Sequence, residues 1–97
     1  MPVGYWQVAR ETEWRGTFYD LAFVDASTGW AVGNTVSRDN SLIVRTDDGG
    51  ETWVRQESHV DAPLRRLAVR SGDRAWIVGD SGVLLHTANG GGDWSRI

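Results

Sequence analysis

One eight-residue pattern occurs twice in the chain, and the two copies decide most of what it can fold into. The first is Thr46-Asp47-Asp48-Gly49-Gly50-Glu51-Thr52-Trp53, and the second is Thr87-Ala88-Asn89-Gly90-Gly91-Gly92-Asp93-Trp94. Each joins a run of aliphatic and β-branched residues to a tryptophan through a carboxylate or amide and two or three glycines. That is hairpin chemistry: the alternating run makes a strand, and Gly with Asp or Asn makes the turn. A pattern returning at this distance within 97 residues marks a repeat array.

The repeat reaches beyond the turn. Leu21-Ala22-Phe23 matches Leu67-Ala68-Val69, and Trp30-Ala31-Val32-Gly33 matches Trp76-Ile77-Val78-Gly79, both 46 positions apart. The octapeptides stand 41 apart, so the first unit holds five extra residues, in the polar stretch 34–40. The second unit has the tight Asp80-Ser81-Gly82 there, and repeats absorb length differences in one loop. Each unit divides into four short strand-like runs with turn signals between them. They are 17–24, 29–33, 41–46 and 52–56 in the first unit, and 64–69, 75–79, 83–87 and 93–97 in the second. No segment shows the apolar 3.6 period of a helix. The expected fold is all-β: two four-stranded antiparallel units of β-propeller blade size. The expected division is 1–16 as the outer strand of a preceding blade plus a linker, 17–57 as blade one and 58–97 as blade two.

The octapeptide needs its residue types for mechanical reasons. Asp48 or Asn89 accepts hydrogen bonds from backbone N–H groups of its own turn. Gly50 and Gly91 supply positive φ without steric cost. Trp53 and Trp94 fold back as apolar plugs whose indole N–H needs a partner. Thr46, Thr52 and Thr87 complete the set of structural positions. The second copy departs at Asn89 and Asp93, so its hairpin is expected to persist with weaker bonds.

These residues carry a resemblance. TDDGGETW resembles the Asp-box, or bacterial neuraminidase repeat. The longer stretch LAFVDASTGWAVG, followed by SLIVRTDDGGETW, is similar to the repeats of the photosystem II assembly factor propellers. The resemblance covers residues 17–97 and implies a blade architecture. It does not single out an activity, because Asp-boxes occur in sialidases, other glycosidases, sortilin-like receptors and assembly factors.

Composition narrows the function classes. Ten basic residues, all Arg, stand against thirteen acidic ones, a net charge of −3, which argues against recruitment to nucleic acid by overall field. There is no Cys, so thiolate metal sites are excluded and the compartment is not encoded. No apolar run is long enough for a membrane-spanning helix, and the first residues lack the charged and apolar regions of a signal peptide. His59 and His86 are far apart in the repeat, so no metal or cofactor is expected. A sialidase-like site needs an arginine triad and a Tyr–Glu pair. Only Tyr5 and Tyr19 are present, neither beside a Glu, so the alternative glycoside-processing reading depends on symmetric copies of Tyr19 and Asp20. No catalytic residue is assigned.

Two blades cannot close a ring that takes four or more. Leu21, Phe23, Trp30, Leu67, Val69 and Trp76 alternate on strands that pack between blades, so each end leaves a face without a neighbour. Homo-oligomerisation is the expectation: a trimer of two-bladed chains first, a tetramer next. Tyr5, Trp6 and Val8 match the strand after each turn glycine and are expected to close the ring between chains. Trp14, Tyr19, Arg65 and Arg66 are the candidate surface for a protein or glycan partner. Asp20, Asp25 or Asp61 are the expected ion-pair partners for the arginines.

Overall fold

The computed structural model of the chain describes residues 16–35 and 41–97. These residues form two four-stranded antiparallel sheets. The first contains β1 (Gly16–Phe23), β2 (Gly29–Thr35), β3 (Leu42–Thr46) and β4 (Val54–Gln56), hydrogen-bonded in chain order. The second repeats the arrangement with β5 (Leu64–Val69), β6 (Ala75–Gly79), β7 (Leu84–Thr87) and β8 (Ser95–Arg96). All eight expected strands form, with ends displaced by two residues at most. Each sheet is a propeller blade.

The repeat is preserved bond by bond. Val24 N–H donates to Thr28 O across the first β-turn, and Arg70 N–H to Arg74 O across the second. Gly49 N–H ties one octapeptide to Ser27 O, and Gly90 N–H ties the other to Asp73 O. Asp25 caps its turn by accepting from Ser27 and Thr28 N–H, which lowers its carboxyl pKa. The Ser71 hydroxyl does the same work for Asp73 and Arg74.

Both inner strands are bulged at one place. The pairing of β1 with β2 shifts between Phe18 and Asp20, and that of β5 with β6 between Leu64 and Arg66. The extra residues are Tyr19 and Arg65. A glycine faces each bulge because the inner strand comes too close for a side chain. A Cβ on Gly33 would lie 1.8 Å from Thr17 O, and one on Gly79 2.6 Å from Pro63 O. A bulge re-aims the side chain it inserts.

The core lies between the sheets. Trp30, Val32 and Ile43 of the first blade pack with Leu64, Ala75, Ile77, Val83, Leu85 and Trp94 of the second. Each Val, Leu or Ile among them contributes about 1.5–3 kcal/mol when fully buried, so the seam is the main source of cohesion. A smaller cluster of Ala31, Leu42, Val44 and Trp53 occupies the other face of the first sheet. Of the six residues expected between blades, Trp30, Leu67 and Val69 lie at the seam. Leu21 and Phe23 remain exposed on the outer face of the first sheet, and Trp76 is half-buried on that of the second.

Candidate functional site

The two octapeptides hold their turns by hydroxyl and carboxylate. Thr46 Oγ1 accepts from Gly50 N–H at 3.0 Å and donates to Asp48 Oδ1 at 2.8 Å. Asp48 also accepts from Thr52 N–H at 2.9 Å and from the Thr52 hydroxyl. The Thr52 hydroxyl, then its N–H, then the Thr46 hydroxyl hold the Asp48 carboxyl down at about 2. Gly50 and Gly91 take φ of 100° and 91°, and Gly49 and Gly90 are positive as well.

The second octapeptide rebuilds the same turn with its polarity reversed. Thr87 Oγ1 accepts from Gly91 N–H and donates to Asn89 Oδ1. Asn89 Oδ1 accepts from Asp93 N–H at 3.0 Å, and Asn89 Nδ2 donates to Asp93 Oδ2 at 3.0 Å. In the first copy a hydroxyl at the fifth position of this span donates to a carboxylate; in the second an amide donates to a carboxylate there. The two departures from the pattern compensate each other, so the number of bonds does not fall.

Three polar side chains of the first blade clip it to the second, and sequence reasoning assigned none of them that role. Asp20 Oδ2 accepts from Leu67 N–H at 2.8 Å, while its Oδ1 takes Leu21 N–H. Arg45 Nη1 donates to Gly72 O at 2.8 Å and Gly90 O at 2.9 Å. Its guanidinium lies 4.7 Å over the Trp30 ring and pairs with Asp47. Gln56 Oε1 accepts both indole N–H groups, Trp30 at 3.1 Å and Trp94 at 3.0 Å, while Nε2 donates to Gly90 O. The amide rests on Gly91, where a Cβ would lie 2.0 Å from Gln56 Oε1. Trp30 and Trp94 meet edge to face at 6.3 Å. The available signal was position: Asp20, Arg45 and Gln56 stand in strand places that alternation assigns to the apolar face.

The candidate partner surface is only partly assembled. Tyr19 and Arg65, the two bulge residues, meet across the seam with the guanidinium 4.4 Å over the phenol ring. Arg65 is fixed by a fork to Asp80, at 2.9 and 3.0 Å. The Asp80 bond raises the arginine's pKa, and the Arg65 bond lowers that of Asp80. The carboxylate partner of Arg65 is thus Asp80, not Asp20 or Asp25, which are spent on backbone N–H groups. Arg66 pairs with Val78 in the ladder and stands on the outer face of the second sheet, away from that group. Trp14, Tyr5, Trp6 and Val8 lie outside the described residues.

Asp20, half of the Tyr19–Asp20 pair that the glycoside-processing reading needs, has both oxygens engaged by backbone N–H groups. His86 stacks on Trp76 at 4.9 Å rather than facing a second ligand. Among the described residues no group of three or more His, Asp or Glu converges as a metal site. No helix among them is long and apolar enough to cross a membrane.

Comparison with known proteins agrees with the blade geometry. The family model described as photosynthesis system II assembly factor YCF48 matches residues 3–97. Photosystem II assembly lipoprotein Ycf48 of Synechococcus sp. (strain CC9902) is 35% identical over 83 residues, covering 80% of this chain and 23% of the relative. Photosystem II stability/assembly factor HCF136, chloroplastic, of Oryza sativa subsp. japonica is 34% identical over 85 residues, 80% of this chain and 19% of its own. The solved structure of YCF48 bound to D1 peptide superposes with a TM-score of 0.72 at 33% identity, over 87% of this chain and 27% of that one. YCF48 from Cyanidioschyzon merolae gives 0.69 at 30% identity, over 87% and 24%. The chain therefore spans about a quarter or less of the length of these proteins.

Proposed function

The chain belongs to the YCF48 photosystem II assembly factor family, and from that premise we propose that it is a non-catalytic propeller module completed into a ring by further copies, with a surface that binds a protein. One observation carries the reading. The face of the first blade that bears Trp30 and Val32 is sealed by the second blade, whereas the equivalent face of the second blade, with Trp76 and Val78, is open. A repeat module with an open apolar face is stabilised by another unit on that face. Three chains give six blades and four give eight, both within the range of closed propellers.

Protein binding is supported by the relatives' names and by the YCF48 structure that holds a D1 peptide. In this chain the Tyr19–Arg65 stack is the residue pair best placed to meet an extended segment, since an aromatic face and a guanidinium both suit peptide contact. Light scattering of the purified chain at micromolar concentration is expected to give the mass of three chains, or failing that four. Titration of a D1 peptide onto that species is expected to show binding that Arg65→Ala weakens. A folded monomer would overturn the ring, and no peptide binding would overturn the partner assignment.

A further inference from the structure

We propose that copies of this chain join head to tail through two unlike faces, the β1 ridge of Leu21 and Phe23 on one copy and the open β6 face around Trp76 and Val78 on the next. The proposal rests on the self-assembly reading above and names its interface. The repeat supplies the argument. Leu67 and Val69 pack on the cluster holding Trp30 and Val32 at the seam within the chain. Their counterparts 46 positions earlier are Leu21 and Phe23, and the counterparts of Trp30 and Val32 are Trp76 and Val78. Both halves of the seam contact thus recur on the surface, with Leu21 40%, Phe23 38% and Val78 42% exposed. They lie on opposite outer faces of the molecule, so only a second copy can bring them together.

The polar groups fit the same occupant. At the inner seam Asp20, Arg45 and Gln56 clip onto Leu67 N–H, Gly90 O and the Trp94 indole. On the open face the matching positions are Arg66, His86 and Ile97, and none of the three clips is kept. On the first blade two of the groups that would need clipping are satisfied already. Leu21 N–H bonds Asp20 Oδ1 at 2.9 Å, and the Trp53 indole N–H bonds Gly50 O at 2.8 Å. Two of the three polar clips are absent from one face where the other no longer requires them. Such a matched loss favours this chain as its own partner over an unrelated protein. The rest of the first blade's outer face, Ala31, Leu42, Val44 and Trp53, is buried in the chain, so the ridge is what a neighbour meets. Unlike faces make a heterologous contact, which closes into a ring when the rotation allows.

Two variants test the pairing. Val78→Glu disables the open face and Leu21→Glu disables the ridge. Each alone is expected to be a folded monomer by circular dichroism and light scattering. Mixed in equal amounts, they should form a species of twice 10.7 kDa, because one intact ridge then meets one intact face. Ile97→Glu on the open face and Phe23→Glu on the ridge provide the same pairing if either first variant fails to fold. A mixture that stays monomeric, or a Leu21→Glu chain that still associates by itself, overturns the head-to-tail assignment. A wild-type chain that is monomeric overturns the self-assembly reading instead.

Discussion

Gln56 joins the two blades through the indole N–H groups of Trp30 and Trp94. Its carbonyl receives two tryptophan N–H groups, one of them on a fully buried ring. Gln56→Leu keeps the volume and removes the one oxygen that accepts from both indoles. A buried donor left without a partner costs about 1–3 kcal/mol, so the variant is expected to lose roughly 2–5 kcal/mol. Urea unfolding followed by tryptophan fluorescence measures this directly, since both reporters sit at the lesion. Asp48 makes a different kind of prediction. Its folded pKa of about 2 lies below the ordinary 3.8. The group therefore adds stability that is fully present above the ordinary value and is lost as pH falls from there through about 2. In Asp48→Asn the decline of the urea midpoint across that window should flatten, and wild-type Asp48 should titrate at the low end by carboxyl-carbon NMR. An unchanged acid profile in Asp48→Asn would show that the turn does not hold the carboxylate.

The two hairpins share their shape and differ in their chemistry. Asn89 and Asp93 exchange an amide-to-carboxylate bond where Asp48 and Thr52 exchange a hydroxyl-to-carboxylate bond. Asn89→Asp alone sets two carboxylates against each other and should destabilise by about 1 kcal/mol, given its exposure. Adding Asp93→Thr should restore the lost stability. A double-mutant cycle on thermal midpoints reads the coupling, and additive effects would mean the two side chains act independently. These turns were legible in the sequence, because Gly, Asp and Trp at fixed spacing have one local mechanical use. The bulges were not. Tyr19 and Arg65 have no signature of their own, and the signal lies on the next strand, in Gly33 and Gly79, whose missing Cβ makes room for them. The seam clips stayed hidden for a related reason. Matching one repeat to the other draws attention to what recurs, and Asp20, Arg45 and Gln56 are positions that do not.

At the scale of the whole molecule, cohesion comes from one internal seam, and the faces beyond it differ from it in polarity. If association covers those faces, folding and assembly are linked, and the thermal midpoint is expected to rise with protein concentration. Calorimetry across a dilution series checks this, and a midpoint independent of concentration would separate stability from assembly. Blade count and strand order were readable from the repeat alone, and alternation with Leu67 already sends Arg66 to the opposite face. The place of Arg65 was not readable, because it is the extra residue of a bulge. The reversed polarity of the second turn also bears on how such a gene can change. Recombination between its two repeats keeps both turn pairs intact when the crossover falls outside the octapeptides. Inside them, between the third and seventh positions, it would pair Asp with Asp or Asn with Thr. The first product carries facing carboxylates, and the second has lost its charged acceptor. The two repeats can therefore trade whole hairpins, but not halves of them.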